Sequence, residues 1–272
     1  MDKQGNIRNR VLSDRNCFEA IEAVDNKRLL EMMAEFAAGV GHELNNPLAV
    51  ISGYAQALLK NETDASKRRS LTSILDQTKR AYEMIVAVRT FARPPAPEFS
   101  AVDVDSFFNA WISREEKRFE EAGVALSSQS ASFVVGVVCK TDRAMLSTIL
   151  DAIVQNALEA ISFERNLGLG RLNADSVQNN TEGRVILCVS TRVKNGNLCV
   201  QFVVEDNGPG LSVDFPELVY SPFYSGRLAG RGLGMGLSKA WRLAEQIGAQ
   251  IHFEQSAVFA KGCRWSVELP AF

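Results

Sequence analysis

This 272-residue sequence has few histidines, no long apolar run and no large excess of charge of one sign. Only two histidines are present, His42 and His252, so any histidine chemistry has two candidate positions. The longest apolar run is the seven-residue stretch Phe133–Cys139, against the roughly 18 residues that span a bilayer, so we predict no membrane span. The first ten residues have no apolar core typical of a secretory signal, so we expect a cytoplasmic protein.

Charge and cysteine content exclude two further classes. Thirty basic and 32 acidic residues give a net charge of −2, so we expect no nucleic-acid partner. The five cysteines are odd in number and contain no C-x-x-C pair, which indicates reduced thiols rather than a disulfide framework or a zinc site. With 46% hydrophobic residues, the composition is that of a globular protein, and the length predicts two domains.

The N-terminal third has the periodicity of a helical hairpin. Apolar or small residues recur every three or four positions on both sides of a polar break at residues 61–64: Met33, Ala37, Val40, Leu44, Leu48, Ile51, Ala55 and Leu58, then Leu71, Ile74, Thr78, Ala81, Ile85, Val88 and Ala92. A single hairpin buries such a stripe along one side only. We therefore predict a homodimer in which two all-α hairpins form a four-helix bundle.

Prolines mark the domain boundary. Three of the eight prolines fall within residues 94–97, where a helix cannot continue. The predicted organisation is an N-terminal segment over residues 1–28, the helical domain over 29–93, a linker over 94–100 and a second domain over 101–272.

The second domain alternates strand and helix patterns. Strands are predicted at 101–104, 124–127, 133–139, 184–192, 198–205, 250–253 and 263–269, and helices at 106–121, 142–163 and 237–247, with Asp142 as a helix cap. Lys194-Asn195-Gly196-Asn197 has the turn chemistry of a β-hairpin. Antiparallel hairpins mixed with helices favour an α/β two-layer sandwich over a doubly wound parallel sheet.

His42 is the first candidate for chemistry. It lies between the stripe positions Val40 and Leu44, so its side chain is expected to point away from the seam toward solvent, where an imidazole can be a nucleophile. Glu43 follows it and can orient the other ring nitrogen. The alternative is an ordinary solvated histidine. His252, predicted within a strand, is expected to have a structural role.

Three further clusters lie in the second domain. Asn156 is an amide within an apolar helix, and it needs a partner such as a metal-bound phosphate or a backbone group. Asp206-Asn207-Gly208-Pro209-Gly210 ends a strand, where a buried carboxylate can accept a hydrogen bond from an amine; a plain turn is the alternative. Seven of the 19 glycines fall within residues 208–236, which suits a phosphate-binding segment, with a flexible linker as the alternative. This stretch has neither G-x-G-x-x-G nor G-K-[ST], which excludes the Rossmann and P-loop classes.

Taken in order, the motifs resemble those of the sensor histidine kinases of two-component systems. G-H-E-L-N-N-P-L resembles the H box, D-A-I-V-Q-N-A-L-E-A the N box, D-N-G-P-G the G1 box, P-F-Y-S the F box and G-R-G-L-G-M-G-L-S the G2 box. The H box and the F-A-R-P-P that closes the hairpin are similar to the nitrogen-regulator branch. The implied fold is a dimerisation and phosphotransfer hairpin followed by a Bergerat-type ATP-binding α/β sandwich.

The resemblance also implies roles for the matching positions. His42 would be the phosphoacceptor, Glu43 its acid/base neighbour, and Asn46 the residue linked to dephosphorylation of the response regulator. Asn156 would bind Mg²⁺ and Asp206 the amino group of adenine. The glycines Gly208 and Gly210 would shape the adenine pocket, while Arg227 would cover the triphosphate of ATP together with Gly230, Gly232, Gly234 and Gly236.

Two departures from the family pattern concern the nucleotide site. Ala152 replaces the earlier asparagine of the N box, and the adjacent Asp151 offers a carboxylate as a partial substitute. Arg227 stands where lysine is usual and keeps the charge.

The implied function is autophosphorylation on His42 with ATP and Mg²⁺, followed by transfer of the phosphoryl group to an aspartate of a response-regulator receiver domain. Residues 1–28 are too few for a sensor domain. Three sources of the signal are left open: a part of the protein that precedes this sequence, a sensor protein in trans, or the N-terminal helix. One alternative is a degenerate, non-catalytic kinase-like dimer that docks a receiver or phosphotransfer partner. Another is a chaperone or topoisomerase ATPase of the wider superfamily.

Overall fold

The computed structural model describes residues 31–32, 35, 39–41, 43–169, 182–194, 196–210, 216–224 and 234–271, without the side chains of 132, 166–169 and 216–217. The chain divides into two compact units, Met1–Pro94 and Pro95–Phe272.

The first unit is the expected helical hairpin. Helix α1 is continuous over residues 43–61, and helix α2 spans Ala65–Ala92. Asp64 caps α2, because its carboxylate accepts hydrogen bonds from the amides of Ser66 at 2.7 Å and Lys67 at 2.9 Å. The Arg68 guanidinium donates to the carbonyls of Leu59 and Glu62, which ties the second helix to the end of the first.

The hairpin leaves several large apolar side chains exposed. Ala55 and Thr78 are buried, and a Cβ placed on Gly41 would stand 2.9 Å from Cγ2 of Ile85. Large apolar side chains on both helices are exposed in the single chain: Leu44, Ile51, Leu58 and Ile74. All four belong to the periodic stripe, so much of the stripe is not covered within one hairpin.

The second unit is an α/β sandwich. Its strands are β1 Ser100–Asp103, β2 Ala125–Ser130, β3 Val138–Thr141, β4 Arg184–Lys194, β5 Asn197–Asp206, β6 Gln250–Gln255 and β7 Cys263–Pro270. Its helices are α3 Val104–Ala122, α4 Arg143–Leu169 and α5 Gly236–Ile247. The main sheet has the order β2-β4-β5-β7-β6, and β1 pairs with β3 separately. Only the β2–β4 pair of the main sheet is parallel, so the prediction of an α/β sandwich rather than a doubly wound parallel sheet is confirmed.

The core lies between the main sheet and the three helices. Alternate residues of β4 and β5 are buried against apolar residues of the helices: Val185, Leu187, Val189, Val200, Phe202 and Val204 from the strands, and Phe108, Ile149, Ile153, Val154 and Leu243 from the helices. Residues 143–165 of α4 are long and apolar enough to cross a membrane by length and composition, and half of that window is buried within the structure. The burial of Ile149, Ile153 and Val154 makes α4 a core helix of this unit.

The prediction of a strand over residues 133–139 is wrong for its first five residues. Residues Ser132–Val134 form a 3₁₀ turn, and the strand begins only at Val138. Gly136 has φ +78°, a left-handed conformation that interrupts an extended chain. Val134 is buried while Phe133 is exposed, so this apolar run turns instead of crossing the core.

Candidate nucleotide-binding site

The site is built around the C-terminal end of β5. Asp206, the last residue of that strand, is buried, and its Oδ1 accepts a hydrogen bond from the Gly208 amide at 2.8 Å. The Asn207 side chain donates to the carbonyl of Glu182 at 2.9 Å and accepts from the amide of Arg184 at 2.7 Å. The turn is therefore tied to the start of β4, which holds the Asp206 carboxylate in place.

Gly208 brings the G1 turn against the N-box helix. A Cβ on Gly208 would stand 2.8 Å from Asp206 Oδ1 and 3.2 Å from Cβ of Ala160. Ala160 lies on α4, four residues after Asn156, so the two share one helical face. The structure thus brings the carboxylate proposed for adenine and the helix that carries Asn156 to one place, although the sequence separates them by 50 residues.

Asn156 is half-buried on this face, together with Ala152 and Ala160. An asparagine carbonyl oxygen is a suitable ligand for Mg²⁺, which keeps several waters and substrate phosphates among its ligands. Among the described residues no group of three or more His, Cys, Asp or Glu could hold a metal ion. The residues present therefore fit an ion that is held mainly by the phosphates of its substrate.

Asp151, the carboxylate beside Ala152, is bonded to helix α3. Its Oδ1 accepts a hydrogen bond from the Trp111 indole at 2.7 Å and is paired with Arg114, both on α3. Arg118 of the same helix bonds to Gln155, one turn further along α4. Burial raises the pKa of the Asp151 carboxyl, although the Trp111 hydrogen bond and the Arg114 charge act in the opposite direction. The carboxylate therefore joins α3 to α4, on a different face of α4 from Asn156.

Gly262 belongs to the site, and the sequence analysis missed it. Its φ is +127°, and a Cβ there would overlap the Asp206 carbonyl oxygen and stand 2.8 Å from the carbonyl carbon. Gly210, with φ +80°, approaches the same segment, since its Cβ would be 3.3 Å from the Gly262 carbonyl oxygen. The only sequence signal for this role was that Gly262 directly precedes the last predicted strand. Nothing in the sequence indicated that Gly262 would contact Asp206.

The G2 glycines are described in part. Gly234 has φ +62°, and its Cβ would lie 2.7 Å from the carbonyl oxygen of Tyr224, so Gly234 packs against the backbone of Tyr224. Gly236 is the first residue of α5, whose N-terminal amides favour an anion. Phe223 of the F box is exposed and has φ +64°, a strained conformation for a non-glycine residue. Arg227, Gly230 and Gly232 lie outside the described residues.

In the hairpin, His42 also lies outside the described residues, so its role stays a prediction. Glu43 and Asn46 are exposed on α1, three residues apart and hence on one helical side. The other histidine, His252, is exposed on the edge strand β6, opposite Ser266 of β7. The four cysteines that the structure describes are free thiols.

Two family models match this chain. The His Kinase A (phospho-acceptor) domain matches residues 32–97, and the histidine kinase-, DNA gyrase B- and HSP90-like ATPase matches residues 141–272. The first match contains His42, and the second contains Asn156 and Asp206.

Solved structures with a similar fold include two histidine kinases. Full-length ShkA in complex with AMPPNP has a TM-score of 0.65 and 22% identity, over 87% of this chain and 46% of that one. ThkA in complex with the response regulator protein TrrA has a TM-score of 0.59 and 18% identity, over 93% of this chain and 66% of that one.

Curated relatives point to the same family. The chain is 25% identical to the signal transduction histidine-protein kinase AtoS of Escherichia coli, over 77% of this chain and 31% of that protein. It is 28% identical to the sensor protein kinase PilS of Pseudomonas aeruginosa, over 81% of this chain and 38% of that protein. The chain thus spans less than half the length of these relatives. With the phospho-acceptor and ATPase regions matched in this order, the chain belongs to the sensor histidine kinases of two-component systems.

Proposed function

We propose that this chain phosphorylates itself on His42 with ATP and passes the phosphoryl group to an aspartate of a response-regulator receiver domain. The observation that carries the proposal is the position of Gly208 between the Asp206 carboxylate and Ala160 of α4. This packing supports a single cleft in which Asp206 accepts a hydrogen bond from the adenine amine. Asn156 lies one helical turn from Ala160, on the phosphate side of that cleft.

Mg²⁺ is part of the proposal, with the Asn156 side chain as its protein ligand. When bound, the ion would neutralise charge on the phosphates. Ala152 supplies no ligand, and Asp151 is bonded to Trp111 and Arg114. We therefore propose a site with one protein oxygen from α4, in which the substrate and water complete the coordination.

The chemistry falls to His42. A ring nitrogen attacks the γ-phosphorus, an N–P bond forms, the bond to the β-γ bridging oxygen breaks, and ADP leaves. The exposed Glu43 carboxylate accepts the proton from the other ring nitrogen. Positioning and charge neutralisation supply most of the acceleration in such a transfer. Asn46, on the same helical side as Glu43, acts in a separate reaction, in which water attacks the aspartyl phosphate of the receiver domain and inorganic phosphate leaves.

The proposed working unit is a homodimer. Leu44, Ile51, Leu58 and Ile74 are exposed in the single hairpin, although they lie on its apolar stripe. A second hairpin would cover them in a four-helix bundle. Light scattering should give about twice the chain mass of 29.9 kDa. We propose a cytoplasmic location for this dimer.

The test is a labelling assay with [γ-³²P]ATP and Mg²⁺. The wild-type chain should acquire label that is lost in acid and stable in base, and His42→Ala should acquire none. Label that survives in His42→Ala would remove His42 from its role. A wild-type chain that binds ATP without labelling would favour the degenerate dimer.

Asp206→Asn tests the adenine assignment separately. Asparagine still accepts from the Gly208 amide, but it loses the charge that faces the amine. We expect the Kd for ATP to rise at least tenfold, about 1.4 kcal/mol, with the dimer intact by light scattering. An unchanged Kd would contradict the assignment.

A further inference from the structure

Glu205 is a buried carboxylate that the proposed chemistry does not use. It precedes Asp206 on β5, and alternation along a strand directs the two side chains to opposite faces of the sheet. Asp206 faces the side covered by helices, and Glu205 faces the other side. Glu205 is only 2% exposed, so its charge must be compensated by neighbours.

The partners of Glu205 come from one loop and from the strand that follows it. Oε1 of Glu205 accepts hydrogen bonds from the Ser256 hydroxyl at 2.6 Å, the Ala257 amide at 2.7 Å and the Val258 amide at 2.9 Å. Oε2 accepts from Arg264, just beyond the loop, at 3.3 Å. Burial alone would raise the pKa of this carboxyl, but the hydrogen bonds and the Arg264 charge outweigh it, so the pKa lies below its ordinary value.

The anchored loop, residues 256–262, ends at the nucleotide site. Its base is closed by a hydrogen bond from the Ser256 amide to the Gly262 carbonyl at 3.1 Å. At that base Gly262 packs without room for a Cβ on the carbonyl of Asp206, and its own carbonyl packs on Gly210. The contacts that fix Ser256 therefore also fix Gly262 against the G1 turn.

We propose that Glu205 is a positioning residue for nucleotide binding. From the opposite face of the sheet it holds loop 256–262, so that Gly262 keeps the turn from Asp206 to Gly210 in the shape that receives adenine. The inference rests on the proposed function, because it concerns the same nucleotide site. Without the anchor, the loop is expected to move away from Asp206 while the sheet remains folded.

Glu268 offers a matched control. It lies on β7 on the same face as Glu205, is 11% exposed, and is paired with Lys194 at 2.8 Å and Arg192 at 3.5 Å. It lies four residues beyond Arg264, or roughly 13 Å along an extended strand. Glu268→Gln therefore removes a partly buried, ion-paired carboxylate from the same face without releasing the loop.

The first measurement is the Kd of Mg-ATP by titration calorimetry, with folding checked by circular dichroism. We expect Glu205→Gln to raise the Kd at least tenfold, and Glu268→Gln to leave it within twofold of wild type. Ser256→Ala removes a single donor, so it is expected to raise the Kd about threefold, and it tests the proposal should Glu205→Gln fail to fold. Equal Kd values for all variants would overturn the inference.

The second measurement needs no nucleotide. Cys263 directly follows Gly262 and is buried, and burial raises the pKa of its thiol to about 12. Its rate of modification by N-ethylmaleimide, followed by mass spectrometry of the peptide, should rise at least fivefold in Glu205→Gln. In Glu268→Gln the rate should match wild type, and an unchanged rate in Glu205→Gln would overturn the inference.

The two measurements separate the inference from the proposed function. Suppose that the wild-type protein binds ATP and is phosphorylated on His42, while Glu205→Gln has the wild-type Kd for Mg-ATP or the wild-type rate of Cys263 modification. In that case only the inference is wrong. If wild type binds no ATP, the proposed function is wrong, and the role of Glu205 in nucleotide binding falls with it.

Discussion

Gly262 lies so close to Asp206 that a methyl group on it would overlap the Asp206 carbonyl oxygen. The contact joins the start of β7 to the end of β5, beside the carboxylate that we assign to adenine. One backbone contact thus holds both Gly262, which is required for close packing, and Asp206, which we propose to bind adenine.

Gly262→Ala should be among the most damaging single substitutions in the second unit. It combines the overlap with strain at φ +127°, so we expect a loss of about 2–4 kcal/mol in the free energy of unfolding and weaker ATP binding. Gly248→Ala is the control, because Gly248 has φ +68° and open space around its Cβ position. It should cost only about 1 kcal/mol. Equal losses in chemical denaturation would contradict the importance of the contact.

Two glycines of the first helix should respond in opposite directions to alanine. Gly53 has open space around it, so Gly53→Ala should stabilise the helix by about 0.5–1 kcal/mol. Gly41 faces Cγ2 of Ile85 at 2.9 Å, so Gly41→Ala should destabilise the hairpin by about 1–3 kcal/mol through overpacking. Thermal unfolding of both variants checks this. If Gly41→Ala stabilised the protein instead, the contact between residue 41 and Ile85 would not limit the spacing of the two helices.

Asp151→Ala should affect stability rather than metal binding. The substitution leaves the Trp111 indole and the Arg114 guanidinium without this acceptor, at a cost of about 1–3 kcal/mol in denaturant unfolding. The Mg²⁺ concentration needed for half-maximal His42 labelling should be unchanged. A marked rise in that concentration would instead make Asp151 a metal ligand. Ser147→Ala is the control variant, because it removes a different hydrogen-bond partner of Arg114.

Glu268 should make stability depend on pH in acid. The hydrogen bond from Lys194 holds its pKa below the ordinary value of 4.5, despite the opposing effect of burial. The ionised carboxylate therefore stabilises the fold above about pH 4.5, and this contribution is lost as the pH falls through the folded-state pKa. Glu268→Gln should cost about 1 kcal/mol at pH 7, and the difference in Tm from wild type should narrow as the pH falls below 4.5. A gap of constant size would rule out this linkage.

Much of the fold could be predicted because its signals are local. The hairpin followed from three- and four-residue spacing, and the helix after Asp142 followed from a cap whose carboxylate does bond the amides of Ala144 and Met145. The strand prediction for residues 133–139 was wrong because hydropathy alone does not distinguish an extended apolar segment from one that turns at Gly136.

The site was predictable only where its residues form motifs. Asp206 and Gly208 are two residues apart, and local turn chemistry links them. Gly262 and Glu205 were missed because their roles depend on contacts across more than 50 residues. The contacts of Asp151 with Trp111 and Arg114 could not be predicted, because a sequence pattern does not show which neighbouring helix approaches.

The sequence by itself determined the types of secondary structure and the order of a helical domain followed by an α/β domain. It also determined that the phospho-acceptor motif precedes the nucleotide-binding motifs. These depend on periodicity, turn residues and caps, which act over a few positions. Tertiary structure alone decided that Gly262 closes on Asp206, that Glu205 holds its loop from the opposite face, and that Asp151 serves α3. Such contacts arise from strand register and helix rotation, which are set only when the whole core packs.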